Sequence, residues 1–290
     1  MLIEEVKKLP PLERFLYWVR ERQQILLKRQ VGLPKPWTND TVLQSYSFTN
    51  VRREDDRVTK WFRDNVRDRL RNDPKVVFAV LAFRWFNLPT PTGEYLNSHG
   101  YLEDWNLPKV IAGLTEFKNK GLKVFTGAFN ISNSGSSDPK INRVCEAYIQ
   151  PVWDNGSHHL YAKILGKKLA EAFRVLQDLP GLGGSGFMAA QVICDLAYTH
   201  VLENAPDWWT WCSWGPGSKR GMNRVLGHPV DYNLGQQRWK QQLDNLQILI
   251  EQRLGLKLHA RDVQSCLCEF SKYECGLWGD GNVKRRYPGA

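Results

Sequence analysis

The stretch from Val76 to Phe86 is apolar nearly throughout, and it constrains the fold more than any other part of the chain. A bilayer span takes about 20 apolar residues, and no run of that order exists here. A segment this short and this hydrophobic reads as a helix buried on every side in a protein core. The elements that would cover it are written as amphipathic helices. In 12–30, Phe15, Leu16, Val19 and Leu26 recur near helical spacing with charges between them, and Gly32, Pro34 and Pro36 end the pattern. In 54–71, Val58, Trp61, Phe62 and Val66 do the same among Arg and Asp. Asn106 is placed to cap a helix over Pro108–Lys120, with Pro108 in the first turn, where its missing N–H costs little. Further helices are expected at about 159–178, 186–202, 217–226 and 234–253. Segments 121–130 and 145–152 carry β-type residues and predict a short β-hairpin, separated by the polar loop Asn130–Pro139. With no internal repeat and no long linker, the expectation is one mainly α-helical unit over 1–290, with room for two lobes, ending in a basic, Gly-rich tail over 271–290.

Composition narrows the function. Hydrophobic residues at 42% supply a full core. The opening Met1–Lys8 lacks the apolar stretch of a signal peptide, so a soluble, cytoplasmic protein with no membrane partner is expected. Forty Lys and Arg against thirty Asp and Glu leave a net charge of +10, which favours a polyanionic partner through phosphate contacts. Six cysteines include no C-x-x-C pair, which argues against a zinc finger and for reduced thiols. Twelve tryptophans are expected mostly to fill the core.

Several constellations suit chemistry on such a partner. Leu179-Pro-Gly-Leu-Gly-Gly-Ser-Gly-Phe187 stops one helix and starts another. Glycines allow the tight turn, and the open N–H groups of the second helix suit a phosphate, so Gly181, Gly183, Gly184, Ser185 and Gly186 are candidate DNA contacts. No Gly-Lys-Ser/Thr follows, which disfavours a nucleotide P-loop. Asp207 lies among Trp208, Trp209, Trp211 and Trp214, followed by a Gly-Pro-Gly turn with Lys219, Arg220 and Arg224; an acid in an aromatic wall next to cations suits a general base near a phosphate, while a helix cap is the plainer role. In Asn50-Val-Arg-Arg-Glu-Asp-Asp-Arg57, Arg52 and Arg53 suit phosphate oxygens, and Asp55 or Asp56 suits a metal or a proton; alternating charges also make an ordinary salt-bridged face. Glu269, Lys272 and Tyr273 lie about one helical turn apart. Asp195 sits in an apolar helix, where a carboxylate needs a partner or a function.

Five segments together resemble a known family: Arg14–Arg22, Asn50–Arg57, Gly183–Leu196, Gly215–Gly221 and Cys268–Glu274. They look like the α-glutamyl/putrescinyl thymine pyrophosphorylase group, over roughly Glu13 to Tyr287. The same helical domain accompanies 5-hydroxymethyluracil DNA kinases. The resemblance implies a fold like that of helix-hairpin-helix DNA glycosylases and an origin in phages that replace thymine with bulkier bases, which would place the protein in the host cytoplasm. It implies a transferase on modified thymine in double-stranded DNA, displacing pyrophosphate from an extruded 5-pyrophosphomethyluracil with an amine, either an amino acid or a polyamine. Arg52, Arg53, Lys219 and Arg220 would stabilise the departing pyrophosphate, with Mg²⁺ as a candidate cofactor, and Asp207, Asp195 or Asp55 would act on the proton; Asn50, Glu269, Lys272 and Tyr273 belong to the matching blocks. Alternatives are a non-catalytic DNA-binding partner of a separate kinase and a DNA glycosylase. Ser185 stands where lyase-active glycosylases carry a Lys, which argues against a Schiff-base lyase.

Overall fold

The computed structural model describes residues 1–129, 131, 137–281 and 283. The polar loop expected over 130–139 lies in large part outside the described residues, as does the tail from 284 onward, whereas 271–278 of the expected tail are the end of a helix with Ser271, Tyr273, Glu274 and Leu277 buried. The longer helices are α1 (Pro11–Gln30), α2 (Arg57–Phe62), α3 (Val76–Phe86), α4 (Leu107–Asn119), α5 (Ser157–Ile164), α6 (Leu169–Gln177), α7 (Phe187–Leu196), α8 (Pro216–Val225), α9 (Gln236–Leu254) and α10 (Ala260–Trp278). Short helical turns fill much of the rest, and no strand occurs among the described residues. The chain forms two compact units. Unit one joins both ends of the chain, Met1–Asp56 and the segment from Cys212; unit two is Arg57–Trp211.

In unit two, α3 is the central element, and all eleven of its residues are buried. Phe83 stacks on Phe62 at 4.3 Å between ring centroids, and Trp85 stacks on Tyr148 at 4.7 Å. Such pairs add about 0.5–1.5 kcal/mol each beyond area burial. The helix ends at Asn87, whose φ of 47° is left-handed, a conformation Asn tolerates better than most residues. Asn106 caps α4 by accepting from the Lys109 N–H. The expected helix over 54–71 begins as a tight turn, Arg53–Asp55, and continues from α2 into a π-helical segment, Arg63–Arg67. The expected helix over 159–178 is two, α5 and α6, broken where Gly166 takes a φ of 67°.

The predicted β-hairpin does not form. Residues 143–149 are π-helical and Gln150–Asp154 is α-helical. Val144, Cys145, Tyr148, Ile149 and Val152 are all buried, a helical spacing rather than an alternating one. Burial of that stripe outweighs the β-preference of the individual residues.

In unit one, α10 runs through the core. Val263, Leu267, Phe270 and Tyr273 pack against Phe15 and Trp18 of α1 and Trp239 and Leu243 of α9 in one cluster. Its closest neighbour is α8. A Cβ placed on Gly221 would stand 2.0 Å from the Leu267 carbonyl oxygen, and one on Gly217 would stand 3.0 Å from Cys268 Sγ. Two glycines one helical turn apart thus let the α8 backbone rest on α10. Trp18, Trp85, Trp105 and Trp239 are buried, whereas Trp209 and Trp278 are exposed.

Candidate functional site

Unit one presents the richest polar cluster, built where residues 47–56 cross α10. On α10, Asp262, Cys266 and Glu269 fall at helical spacing on one face, and each is bonded to that segment. The Arg53 N–H donates to Asp262 Oδ1 at 3.0 Å, the Thr49 N–H to Glu269 Oε2 at 3.1 Å, and the Cys266 thiol to the Val51 carbonyl at 3.6 Å. Lys272 donates to the Ser47 carbonyl and lies 4.5 Å from the centre of the Phe48 ring. Asn50 ties the segment to itself: its N–H donates to Asp56 Oδ1 and its side-chain amide to the Asp55 carbonyl, both at 2.8 Å. Arg22, buried in α1, donates to the Phe48 and Thr49 carbonyls and to Asn50 Oδ1. The loop carrying Arg52 and Arg53 is therefore held at every second or third residue.

The cluster is electrostatically tense. Burial pushes the Asp262 carboxyl up to about 7, against the pull of the Arg53 N–H and the Arg261, Arg53 and Arg52 charges. Burial likewise raises Asp56 to about 6, opposed by the Asn50 N–H. His259, 3.2 Å from Asp262, is pushed down to about 3, first by burial and then by Arg261 and Arg53. Cys268, packed against Gly217 of α8, is raised to about 12, first by burial and then by the Glu269 charge, while the Arg220 and Arg53 charges pull it down. On α8, Lys219 lies 3.5 Å from the centre of the Trp214 indole, and Arg220 is exposed. The first turn of α8 has no side-chain cap. Arg52, Arg53, Lys219 and Arg220 thus all belong to unit one.

The other expected residues are placed as follows. Glu269 and Lys272 meet at 3.4 Å, but Tyr273 turns into the core and donates to Asp40 at 2.6 Å. Burial raises its phenol above the usual range. Asp207 belongs to unit two and caps α6 from a distance in sequence, with Leu169 N–H on Oδ1 at 2.7 Å and Ala170 N–H on Oδ2 at 3.0 Å. Asp195, 1% exposed, faces Arg84 across both carboxylate oxygens, at 2.5 and 2.7 Å. Among the described residues, no group of three His, Cys, Asp or Glu is arranged to hold a metal ion.

The glycine hairpin of unit two connects α6 to α7. Gly181, Gly184 and Gly186 have φ of 75°, 64° and 67°. Gly181 and Gly186 are also sterically required: a Cβ at Gly181 would meet Trp85 at 2.8 Å, and one at Gly186 would meet Phe173 at 2.5 Å. Gly183, Gly184, Ser185 and Phe187 are exposed, and α7 begins without a side-chain cap. The hairpin thus offers open backbone N–H groups to an anion.

Sequence reasoning missed Asp262, His259, Arg261, Arg22 and Arg84. Arg84 carried a signal, as a lone cation inside an apolar run. Asp262 carried none, because its partner is a backbone N–H 209 residues away.

No helix among the described residues is long and apolar enough to cross a membrane. No solved structure matches the chain. A 5-hmdU DNA kinase of Bacillus phage SP10 is 28% identical over 278 residues, covering 87% of this chain and 43% of that protein. The chain therefore spans under half the length of this relative. Residues 10–277 match the family described as the helical domain of 5-hmdU DNA kinase, and the chain belongs to that family.

Proposed function

We propose that this chain engages DNA carrying 5-hydroxymethyluracil, or its phosphorylated form, as a helical component of thymine hypermodification. Arg52, Arg53, Lys219 and Arg220 hold phosphate oxygens, and Gly181 to Gly186 follow the DNA backbone. The observation that carries this reading is the mounting of the loop that bears Arg52 and Arg53: its backbone is bonded to α10 at Thr49, Val51 and Arg53, so the loop is held in place before an anion arrives. A loop that is already ordered loses less freedom on binding phosphate than a free one. Kinship with the phage kinase supports work alongside a DNA kinase activity.

A second reading is amine transfer, the chemistry of the pyrophosphorylase group that the sequence resembles. The amine nitrogen of an amino acid or polyamine attacks the C5 methylene carbon, the bond to the pyrophosphate oxygen breaks, and the nitrogen gives up a proton. Asp56 favours it: a carboxyl raised to about 6 next to Arg53 suits proton acceptance near neutral pH. Asp207 and Asp195 are committed to a helix cap and an ion pair, which leaves Asp55 and Asp56 as the acids of this reading.

Fluorescence anisotropy on duplexes with thymine, 5-hydroxymethyluracil and 5-pyrophosphomethyluracil tests the first reading. Binding that weakens at least tenfold in an Arg53→Ala/Arg220→Ala variant supports it; equal affinity of variant and parent overturns it. Nucleoside mass spectrometry of the last duplex, incubated with amines, tests the second. A new amine-bearing nucleoside supports transfer, free base marks a glycosylase, and an unchanged profile with tight binding leaves the kinase-associated role.

A further inference from the structure

Unit two holds two neighbouring cations that no acid among the described residues neutralises. Arg143 opens the π-helical segment Arg143–Ile149 and is only 8% exposed. Its Nη1 donates to the Asp138 carbonyl at 3.0 Å, while its Nε is buried without an acceptor. Glu146, the acid on the same segment, accepts instead from the Asn142 amide at 3.0 Å. Lys140, in the short helical turn Lys140–Asn142, lies 4.5 Å from the centre of the Phe125 ring. Burial, and then the Arg143 charge, hold its amine below the usual lysine range.

A buried guanidinium is costly unless an opposite charge repays its desolvation, and a second cation beside it adds to that cost. The other buried arginines on this side of the chain follow the rule: Arg84 has Asp195, and Arg67 has Asp68 and Asp195. An anion supplied from outside the chain would do the same for Arg143 and Lys140. A planar fork next to an ammonium group suits the oxygens of a phosphate.

The pair is tied to the glycine hairpin by two routes. Tyr148, on the same π-helical segment as Arg143, lies against Gly181, where a Cβ would stand 2.9 Å from its ring. Phe129, four residues beyond Phe125, meets Phe187, the first residue after the hairpin, edge-on at 4.9 Å. We infer that Lys140 and Arg143 form a phosphate site of their own, which takes a backbone phosphate of the DNA strand lying along Gly181 to Gly186. This rests on the reading that the chain engages DNA through the hairpin. It adds a side-chain contact to the same strand.

Two measurements on the full chain test it: thermal unfolding in sodium phosphate against sodium chloride of equal ionic strength, and salt-dependent anisotropy on a paired duplex. Phosphate should raise the parent's midpoint, increasingly with concentration. Arg143→Met and Lys140→Ala should each lose part of that rise, and each should lower the slope of log affinity against log salt by about one. In chloride both should melt close to the parent. Variants that keep the parental rise and slope overturn the inference. So does an Arg143→Met protein that melts lower by the same amount in both salts, the mark of a structural role. Loss of the rise with an unchanged slope overturns the assignment to DNA and marks the phosphate of a small molecule. A parent that binds no duplex overturns the DNA reading and this assignment with it, while a phosphate-dependent rise lost in the variants still supports the phosphate site.

Discussion

Arg84 and Asp195 form a two-point ion pair in the interior of unit two, Nε to Oδ2 at 2.5 Å and Nη2 to Oδ1 at 2.7 Å, joining α3 to α7. Arg84 also donates to Asn87 Oδ1 at 2.7 Å and Thr59 Oγ1 at 3.2 Å, so the buried guanidinium is spread over four acceptors. Removing one member strands the other charge. Arg84→Met should therefore destabilise by about 3–5 kcal/mol, and Arg84→Met/Asp195→Leu should recover much of the loss. Urea denaturation of the three proteins measures this; a double variant no better than the single one contradicts it.

Gly221 should not tolerate a side chain. Its Cβ would overlap the Leu267 carbonyl on α10, so Gly221→Ala forces α8 away from its support and should cost at least about 1–3 kcal/mol. Gly215→Ala, where nothing lies within 4 Å, should stay within about 0.5 kcal/mol. Thermal unfolding of the two variants separates them.

Asp207 works as a distant cap of α6. Asp207→Ala should lose about 0.5–2 kcal/mol of stability through the freed Leu169 and Ala170 N–H groups. DNA affinity of the folded variant should match the parent. A variant of unchanged stability that fails in amine transfer would instead make Asp207 a reacting group.

Asp262 should make unit one more stable in mild acid than at neutral pH. Its folded value of about 7 lies above the unfolded value of about 3.8, so the folded state binds the extra proton between them. Its contribution is full below the unfolded value and fades as pH rises through the folded one. His259, lowered to about 3, acts in the opposite direction between about 3 and 6.5. Asp262→Asn keeps the acceptor for the Arg53 N–H and removes the titration. Relative to the parent, it should gain stability as pH rises from 4.5 to 8. Urea midpoints at the two pH values check the sign.

Lys219 and Arg220 should act as phosphate contacts without base preference. Each alanine variant should lower the slope of log affinity against log salt by about one. An unchanged slope for both would remove α8 from the DNA interface.

Much was legible in the sequence because it was local. Helical spacing in 12–30 and the apolar run of α3 dictate helices whatever surrounds them, and the Asn106-Leu-Pro order specifies the start of α4. The glycines of 181–186 announce a turn because only glycine accepts left-handed φ cheaply. The scattered blocks also carry the helical domain of 5-hmdU DNA kinase, whereas the pyrophosphorylase group rests on the sequence resemblance alone. What tertiary structure alone decided is which face of each pattern is buried and against what. The stripe over 144–152 became helical because five of its side chains enter one core. Asp207 and Asp195 look alike as candidate acids in sequence; partners 37 and 111 residues away make one a cap and the other half of an ion pair. Asp262 gains its raised value only where α10 packs on the loop of Arg53, because desolvation depends on everything folded around the carboxyl and on nothing beside it in the chain.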